Sequence, residues 1–158
     1  MNADLHPDIA FLAPILGTWK GAGRGDYPTI DGFDYLEEIT FSTVGKPFVA
    51  YTQRTRSAAT GLPMHAETGY LRPCGGDGVE FVVVQPTGVV EIHEGSFVDG
   101  RLSLATVQVA STATAKPVEA VARTMHFSEN ECRYTLDMAA VGQPMGFHLE
   151  ASLERVAA

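Results

Sequence analysis

The chain has 158 residues, 45% of them hydrophobic, and a formal net charge of −8 at pH 7, which predicts one domain over residues 1–158 with its own core. The acidic balance disfavours nucleic acid as a partner, because that binding needs cationic groups to replace phosphate counterions. No apolar run approaches the roughly 20 residues that cross a bilayer, and no signal-peptide pattern begins the chain, so we expect a cytoplasmic protein without membrane contact.

The first predicted element is a short N-terminal helix over Pro7 to Leu16. Pro7 suits a first helical position, and one helical face carries Ile9, Leu12, Ala13 and Leu16. We expect this helix to cover one end of a sheet.

Ten extended runs follow, separated by turn residues such as Asp99-Gly100. The predicted strands are Gly17–Gly25, Phe33–Thr43, Phe48–Ser57, Met64–Arg72, Val79–Gln85, Val89–Val98, Arg101–Ala110, Ala120–Phe127, Cys132–Ala140 and Pro144–Val156. A meander of this kind has two unpaired edges unless its first and last strands pair. The sequence therefore predicts an all-β fold, a ten-stranded antiparallel up-and-down β-barrel, which has room for one small ligand.

The first strand packs glycines around the only tryptophan, in the pattern Gly17-x-Trp19-x-Gly21-x-Gly23. Such glycines indicate a sharp bend or a close approach of another backbone, and we expect a structural role with Trp19 filling the interior. This pattern, with Tyr27-Pro-Thr-Ile30, resembles the start of the nitrobindins, haem-binding barrels also found as a domain of THAP4-type proteins. Later segments that resemble the same family are Pro63-Met-His65-x-Glu67, Thr87-Gly-Val-Val-Glu91, Gln143-Pro-Met145 and His148-Leu149.

The resemblance implies a ferric haem b protein that binds nitric oxide and isomerises peroxynitrite to nitrate. It places the axial histidine, and so the iron ligand, at His148; imidazole is a standard proximal ligand of haem iron. Without the resemblance, His148 would be interpreted as a polar residue on the solvent side of the last strand.

Alternation along the last strand argues against an inward His148, because the apolar residues occupy the alternate positions, which face the other side of the strand: Phe147, Leu149, Ala151 and Leu153. Two explanations remain open. In the first, the apolar face of the strand is covered by the N-terminal helix or by a partner subunit; we favour this explanation, and it predicts a homodimer. In the second, Gly146 marks a bulge that redirects the next side chain.

Four further residues are candidates for haem contact. The resemblance places Met64 and His65 on the other face of the haem, where we expect them to crowd the iron without bonding to it; otherwise they are a packing residue and an exposed loop residue. Thr29 corresponds to a haem-contacting position, or is simply a turn hydroxyl. Arg123 could pair with a propionate or with a glutamate such as Glu91.

Other kinds of chemistry lack support in the sequence. Glu37 and Glu38 fall on opposite faces of one strand, so they cannot form an acid/base pair. Cys74 and Cys132 have no metal or redox spacing, and we expect two reduced thiols. The alternative function is a carrier of a fatty acid or another small apolar ligand, which would need an inward cation for a carboxylate.

Overall fold

The computed structural model describes residues 4–157, which form one 3-10 helix and ten strands. The helix is Pro7–Ile15. The strands are β1 Gly17–Tyr27, β2 Ile30–Ser42, β3 Val49–Ser57, β4 Pro63–Gly75, β5 Gly78–Val84, β6 Val89–Val98, β7 Arg101–Ser111, β8 Val118–Phe127, β9 Glu131–Ala140 and β10 Gly146–Arg155. Within residues 4–157, no helix has the length and apolar character needed to cross a membrane.

The strands form a closed antiparallel barrel, which confirms the predicted fold class. Each strand pairs with its neighbours in the chain, and β1 pairs with β10 from Trp19 opposite Arg155 to Gly25 opposite Leu149. This closure gives both end strands a hydrogen-bonding partner. The turn predicted at Asp99-Gly100 is present, with φ values of 50° and 78° that a tight hairpin turn requires.

The glycines of β1 do not end the strand where the sequence predicted. β1 continues past Gly25 to Tyr27, and β2 begins at Ile30. Across the β1–β2 pair the ring of Phe33 lies over Gly25, where an added Cβ would come within 2.1 Å of the ring. Aromatic side chains of β2 thus fill the space that β1 side chains would occupy, and the ladder continues.

The N-terminal helix closes one end of the barrel, as predicted, but with a different buried face. Ile9, Leu12 and Ile15 are fully buried, whereas Ala13 is exposed. The helix is of the 3-10 type with three residues per turn, so the buried side chains recur every third residue. The indole nitrogen of Trp19 donates to the backbone oxygen of Ile15 at 2.9 Å, which joins the helix to the barrel interior.

Candidate functional site

The barrel interior contains a cavity of about 320 Å³ that opens at the end opposite the helix. His148, Met64, His65 and Arg123 all line it, so the fold brings together four of the five residues predicted to contact haem. Thr29 lies in the turn between β1 and β2, is exposed, and is not among the lining residues, although its neighbour Ile30 is.

A β-bulge in β10 directs His148 into this cavity. In the pairing of β10 with β9, Phe147 lies opposite Asp137 and Leu149 opposite Leu136, so His148 is an extra residue without a partner. A bulge redirects side chains relative to simple alternation. His148 and the adjacent Leu149 therefore both line the cavity.

The bulge explanation for His148 is the correct one, and the explanation favoured from the sequence is wrong. Ala151 and Leu153, on the apolar parity of β10, belong to the buried core inside the barrel and need no external cover. The bulge lies at His148 itself, two residues after Gly146. The observation that suggested a homodimer therefore has another cause.

The His148 ring has a defined tautomer. Its Nδ1 lies 3.2 Å from the backbone oxygen of Asp26, and because a carbonyl oxygen only accepts, Nδ1 must carry the hydrogen. Burial lowers the pKa of His148, against the opposing effect of that hydrogen bond, which favours the neutral ring. In the neutral ring Nε2 then carries the lone pair, and within residues 4–157 the contact with Asp26 is the only hydrogen bond found for this ring.

Aromatic rings hold His148 on two sides. Its ring centroid lies 5.3 Å from that of Tyr27 and 6.4 Å from that of Phe33, both with edge-to-face geometry. The Tyr27 hydroxyl is itself fixed, because it accepts from the backbone nitrogen of Ala140 at 3.0 Å and donates to the oxygen of Met138 at 3.0 Å. The imidazole therefore has little freedom to rotate.

Met64 and His65 line the cavity from the first residues of β4. Met64 is 45% exposed, so it lies at the mouth. The ring of His65 is one-third exposed, and its Nε2 lies 3.3 Å from an oxygen of the buried Glu67. The backbone nitrogen of His65 donates to the Thr55 hydroxyl at 3.1 Å, where the β3–β4 register shifts.

Arg123 is buried between two carboxylates. Its Nη1 binds Glu67, and its Nη2 lies 2.9 Å from Glu91. Burial opposes ionisation of each carboxyl, yet the guanidinium holds the pKa of both Glu67 and Glu91 below their usual values. The alternative of a glutamate partner for Arg123 is thus confirmed. One cation between two anions leaves a net negative charge, which disfavours the carboxylate of a bound fatty acid.

Glu37 lies in a different part of the same cavity wall. Gln53 donates to its Oε2 at 2.6 Å and the Tyr134 hydroxyl donates at 3.0 Å, and the side chain is 5% exposed. Burial raises the pKa of Glu37 to about 7, although these hydrogen bonds oppose the rise. Glu38 points outward to Lys20 and Arg54, which confirms that the two glutamates cannot act as a pair.

Comparison with known proteins identifies the family of this barrel. Residues 8–155 match the family described as "THAP4-like, heme-binding beta-barrel domain". The chain belongs to that family. This confirms the resemblance drawn from the motifs.

Curated relatives within this family are similar over nearly the whole chain. "Peroxynitrite isomerase 1" of Mycolicibacterium paratuberculosis is 53% identical, with 98% of this chain and 99% of that protein covered. "Peroxynitrite isomerase" of Nocardia farcinica is 52% identical, with 96% and 92% covered. The crystal structure of Rv2717c from M. tuberculosis has a TM-score of 0.94 at 46% identity, with 98% of this chain and 100% of that chain covered.

The residues of this haem-binding family member suit a haem group. Haem iron takes a neutral imidazole nitrogen as its axial ligand. The hydrogen bond from Nδ1 of His148 to the backbone oxygen of Asp26 orients this ring and leaves the lone pair on Nε2 free. Second-shell bonds of this kind orient a ligating histidine. The cavity also offers apolar walls for a porphyrin, formed by Ile30, Phe33, Val118, Met138 and Leu149.

Sequence reasoning missed most of the polar residues beneath the mouth. One of them is His93, which is fully buried with its Nε2 2.8 Å from Glu91. The signal was available: Glu91 and His93 share the inward parity of Val89 on β6. A polar residue at an inward-facing position of a strand indicates a buried hydrogen-bond network.

Proposed function

We propose that this chain binds haem b through Nε2 of His148 and that the loaded protein isomerises peroxynitrite to nitrate. The supporting observation is the His148 ring itself, which lines the cavity. Its Nδ1 donates a hydrogen bond to the backbone oxygen of Asp26, and the lone pair of its Nε2 is free. The names of the relatives that cover almost the entire chain support the same activity.

Each part of the site has a role in this proposal. When bound, haem supplies a ferric iron with one exchangeable coordination position. His148 holds the iron, while Tyr27 and Phe33 keep the imidazole in orientation. Met64 and His65, which line the cavity, would stand beside the haem on its open side, and Thr29, exposed in the turn between β1 and β2, would contact its edge. Nitric oxide would bind in the same position as peroxynitrite.

The reaction makes few demands on protein side chains. Peroxynitrite and nitrate have the same composition, so the isomerisation consumes no reductant, oxidant or water. The protein must hold the iron and keep one position open. The site accordingly needs no acid/base pair, in agreement with the separation of Glu37 and Glu38 on opposite faces of β2.

The test is a titration of the purified protein with hemin, followed in the visible spectrum. We expect the parent protein and His126→Ala to bind hemin with the same Soret change, because His126 is exposed on β8 away from the cavity. We expect His148→Ala to lose that change. The hemin-loaded parent should then accelerate peroxynitrite decay beyond an equal concentration of free hemin, with nitrate as the product.

Two results would contradict the proposal. If His148→Ala bound hemin like the parent, His148 would not be the ligand. If the loaded parent bound hemin but decomposed peroxynitrite no faster than free hemin does, haem binding would stand and the isomerase activity would fall. A difference spectrum with nitric oxide tests gas binding separately, and light scattering tests the predicted homodimer.

A further inference from the structure

The cavity contains a second imidazole that is restrained by a buried carboxylate. His65 on β4 and His148 on β10 both line the cavity. Haem iron accepts axial ligands on both faces, and two histidines would leave no exchangeable position. Some feature of the fold must therefore keep His65 away from the metal if the site is to bind small molecules.

Glu67 provides that restraint through Nε2 of His65. The two atoms in contact, Nε2 and Oε2, are 3.3 Å apart, and Glu67 is 7% exposed. Burial alone would raise the pKa of Glu67, but Arg123 and the contact with His65 hold it well below its usual value. An ionised carboxylate only accepts hydrogen bonds, so Nε2 of His65 carries a hydrogen and has no lone pair to offer.

The carboxylate is itself held by groups that cannot move easily. Arg123 contacts both of its oxygens, and the Tyr51 hydroxyl donates to Oε1 at 2.7 Å. Gln85 donates to Oε2 at 3.3 Å. Tyr51 and Arg123 are almost fully buried, so the position of Glu67 is determined by the core of the barrel.

We propose that Glu67, fixed by Arg123, is a positioning residue that keeps Nε2 of His65 protonated and turned away from the iron, so that haem in this barrel retains one exchangeable position. The inference rests on the haem binding proposed above. It gives the buried pair of Glu67 and Arg123 a role in setting the coordination number of the iron, in addition to its role in folding.

The informative variant is Glu67→Leu. It removes the acceptor of His65 and leaves Arg123 paired with Glu91, so the buried charges become balanced at one cation and one anion. Glu91→Leu is the matched control, because it removes the same charge from Arg123 but leaves the contact between Glu67 and His65 intact. A third variant combines Glu67→Leu with His65→Leu.

The first readout is the ferric spectrum of each hemin-loaded variant. We expect the parent and Glu91→Leu to be high-spin, and Glu67→Leu to convert to a low-spin, six-coordinate spectrum with a red-shifted Soret band. The combined variant should return to high spin, because the added ligand is gone. An unchanged spectrum for Glu67→Leu, or a low-spin spectrum that persists without His65, would overturn the proposal.

The second readout needs no haem and separates this inference from the proposed function. Nitrogen-15 NMR of the apoprotein reports which ring nitrogen carries the hydrogen. We expect a protonated Nε2 for His65 in the parent and in Glu91→Leu, and a changed signal in Glu67→Leu. A bare Nε2 in the parent would overturn the inference even if hemin binds. Failure of hemin binding with a protonated Nε2 would overturn the proposed function and the role in iron coordination, and would leave only the contact between Glu67 and His65.

Discussion

The Nδ1 atom of His148 and the backbone oxygen of Asp26 are 3.2 Å apart although 122 residues separate them in the chain. Asp26 lies near the end of β1 and His148 near the start of β10, the two strands whose pairing closes the barrel. Orientation of the candidate ligand therefore depends on closure. A chain that folded as an open sheet would leave this imidazole free to rotate.

The ring of Tyr27 should contribute to haem affinity separately from its hydroxyl. Tyr27→Phe loses the bonds to Ala140 and Met138, which we expect to lower the free energy of unfolding by about 1–3 kcal/mol, yet it keeps the ring against His148. Tyr27→Ala also loses that edge-to-face contact, which is worth about 0.5–1.5 kcal/mol, so hemin affinity should fall by about twofold to tenfold relative to Tyr27→Phe. Urea unfolding and hemin titration measure the two effects. Equal hemin affinities for the two variants would show that the ring does not position His148.

The buried Glu37 should make the protein less stable as the pH rises. Its pKa in the folded state is about 7 against an ordinary value of 4.5, so unfolding releases a proton between these values and the free energy of unfolding decreases as the pH rises through this window. Glu37→Gln removes this dependence, and its amide can pair with the Oε1 of Gln53, which lacks a partner within the described residues. The free energy of unfolding of the variant, minus that of the parent, should therefore be up to about 3 kcal/mol larger at pH 8 than at pH 5.

The measurement for Glu37 is urea unfolding of the apoprotein at both pH values. His93, whose pKa is lowered by burial, makes the parent more stable as the pH rises through 6.5, so only the difference between variant and parent isolates Glu37. A difference that does not change with pH would mean that the Glu37 carboxyl ionises normally in the folded protein.

The closed end of the barrel should tolerate cavity formation without loss of the site. Leu12 is fully buried on the inward side of the helix, so Leu12→Ala should cost about 2–5 kcal/mol of unfolding free energy. Leu62 is 66% exposed, and Leu62→Ala should change stability by less than about 0.5 kcal/mol. Hemin stoichiometry should stay the same for both variants while the protein is folded. Loss of hemin binding by folded Leu12→Ala would show that the two ends of the barrel are coupled.

The barrel could be predicted from the sequence because its signals are local. Alternation and turn residues give the number of strands, and the cost of unpaired edges implies closure. The helix type was not available from the same signals, because Ile9 and Leu12 satisfy both a 3.6-residue and a 3-residue period, and only the burial of Ile15 distinguishes them.

The site was harder to predict because its geometry depends on distant residues. A period-two pattern assigns His148 to the outer face, and the bulge that reverses this assignment depends on its pairing with β9. Likewise, alternation along their strands indicates that Glu67, Glu91 and Arg123 face inward. Their contacts with one another could not be predicted, because they lie on β4, β6 and β8, which meet only across the curved interior of the barrel. The motif resemblance named His148, and the structure supplied the reason for its orientation.

The glycine run of β1 should have a structural role, as expected from the sequence. An added Cβ at Gly21 would lie 2.1 Å from the backbone oxygen of Ser152 and 2.8 Å from the Cα of Leu153 on β10. Because backbone cannot move aside as a flexible side chain can, Gly21→Ala should cost about 1–3 kcal/mol of unfolding free energy. Gly32 on β2 is the control: its nearest neighbour would be the Gly25 oxygen at 3.6 Å, so Gly32→Ala should be neutral or stabilise by up to about 1 kcal/mol. Urea unfolding of both variants gives the comparison, and equal stability of Gly21→Ala and the parent would mean that β1 and β10 approach less closely than the structure shows.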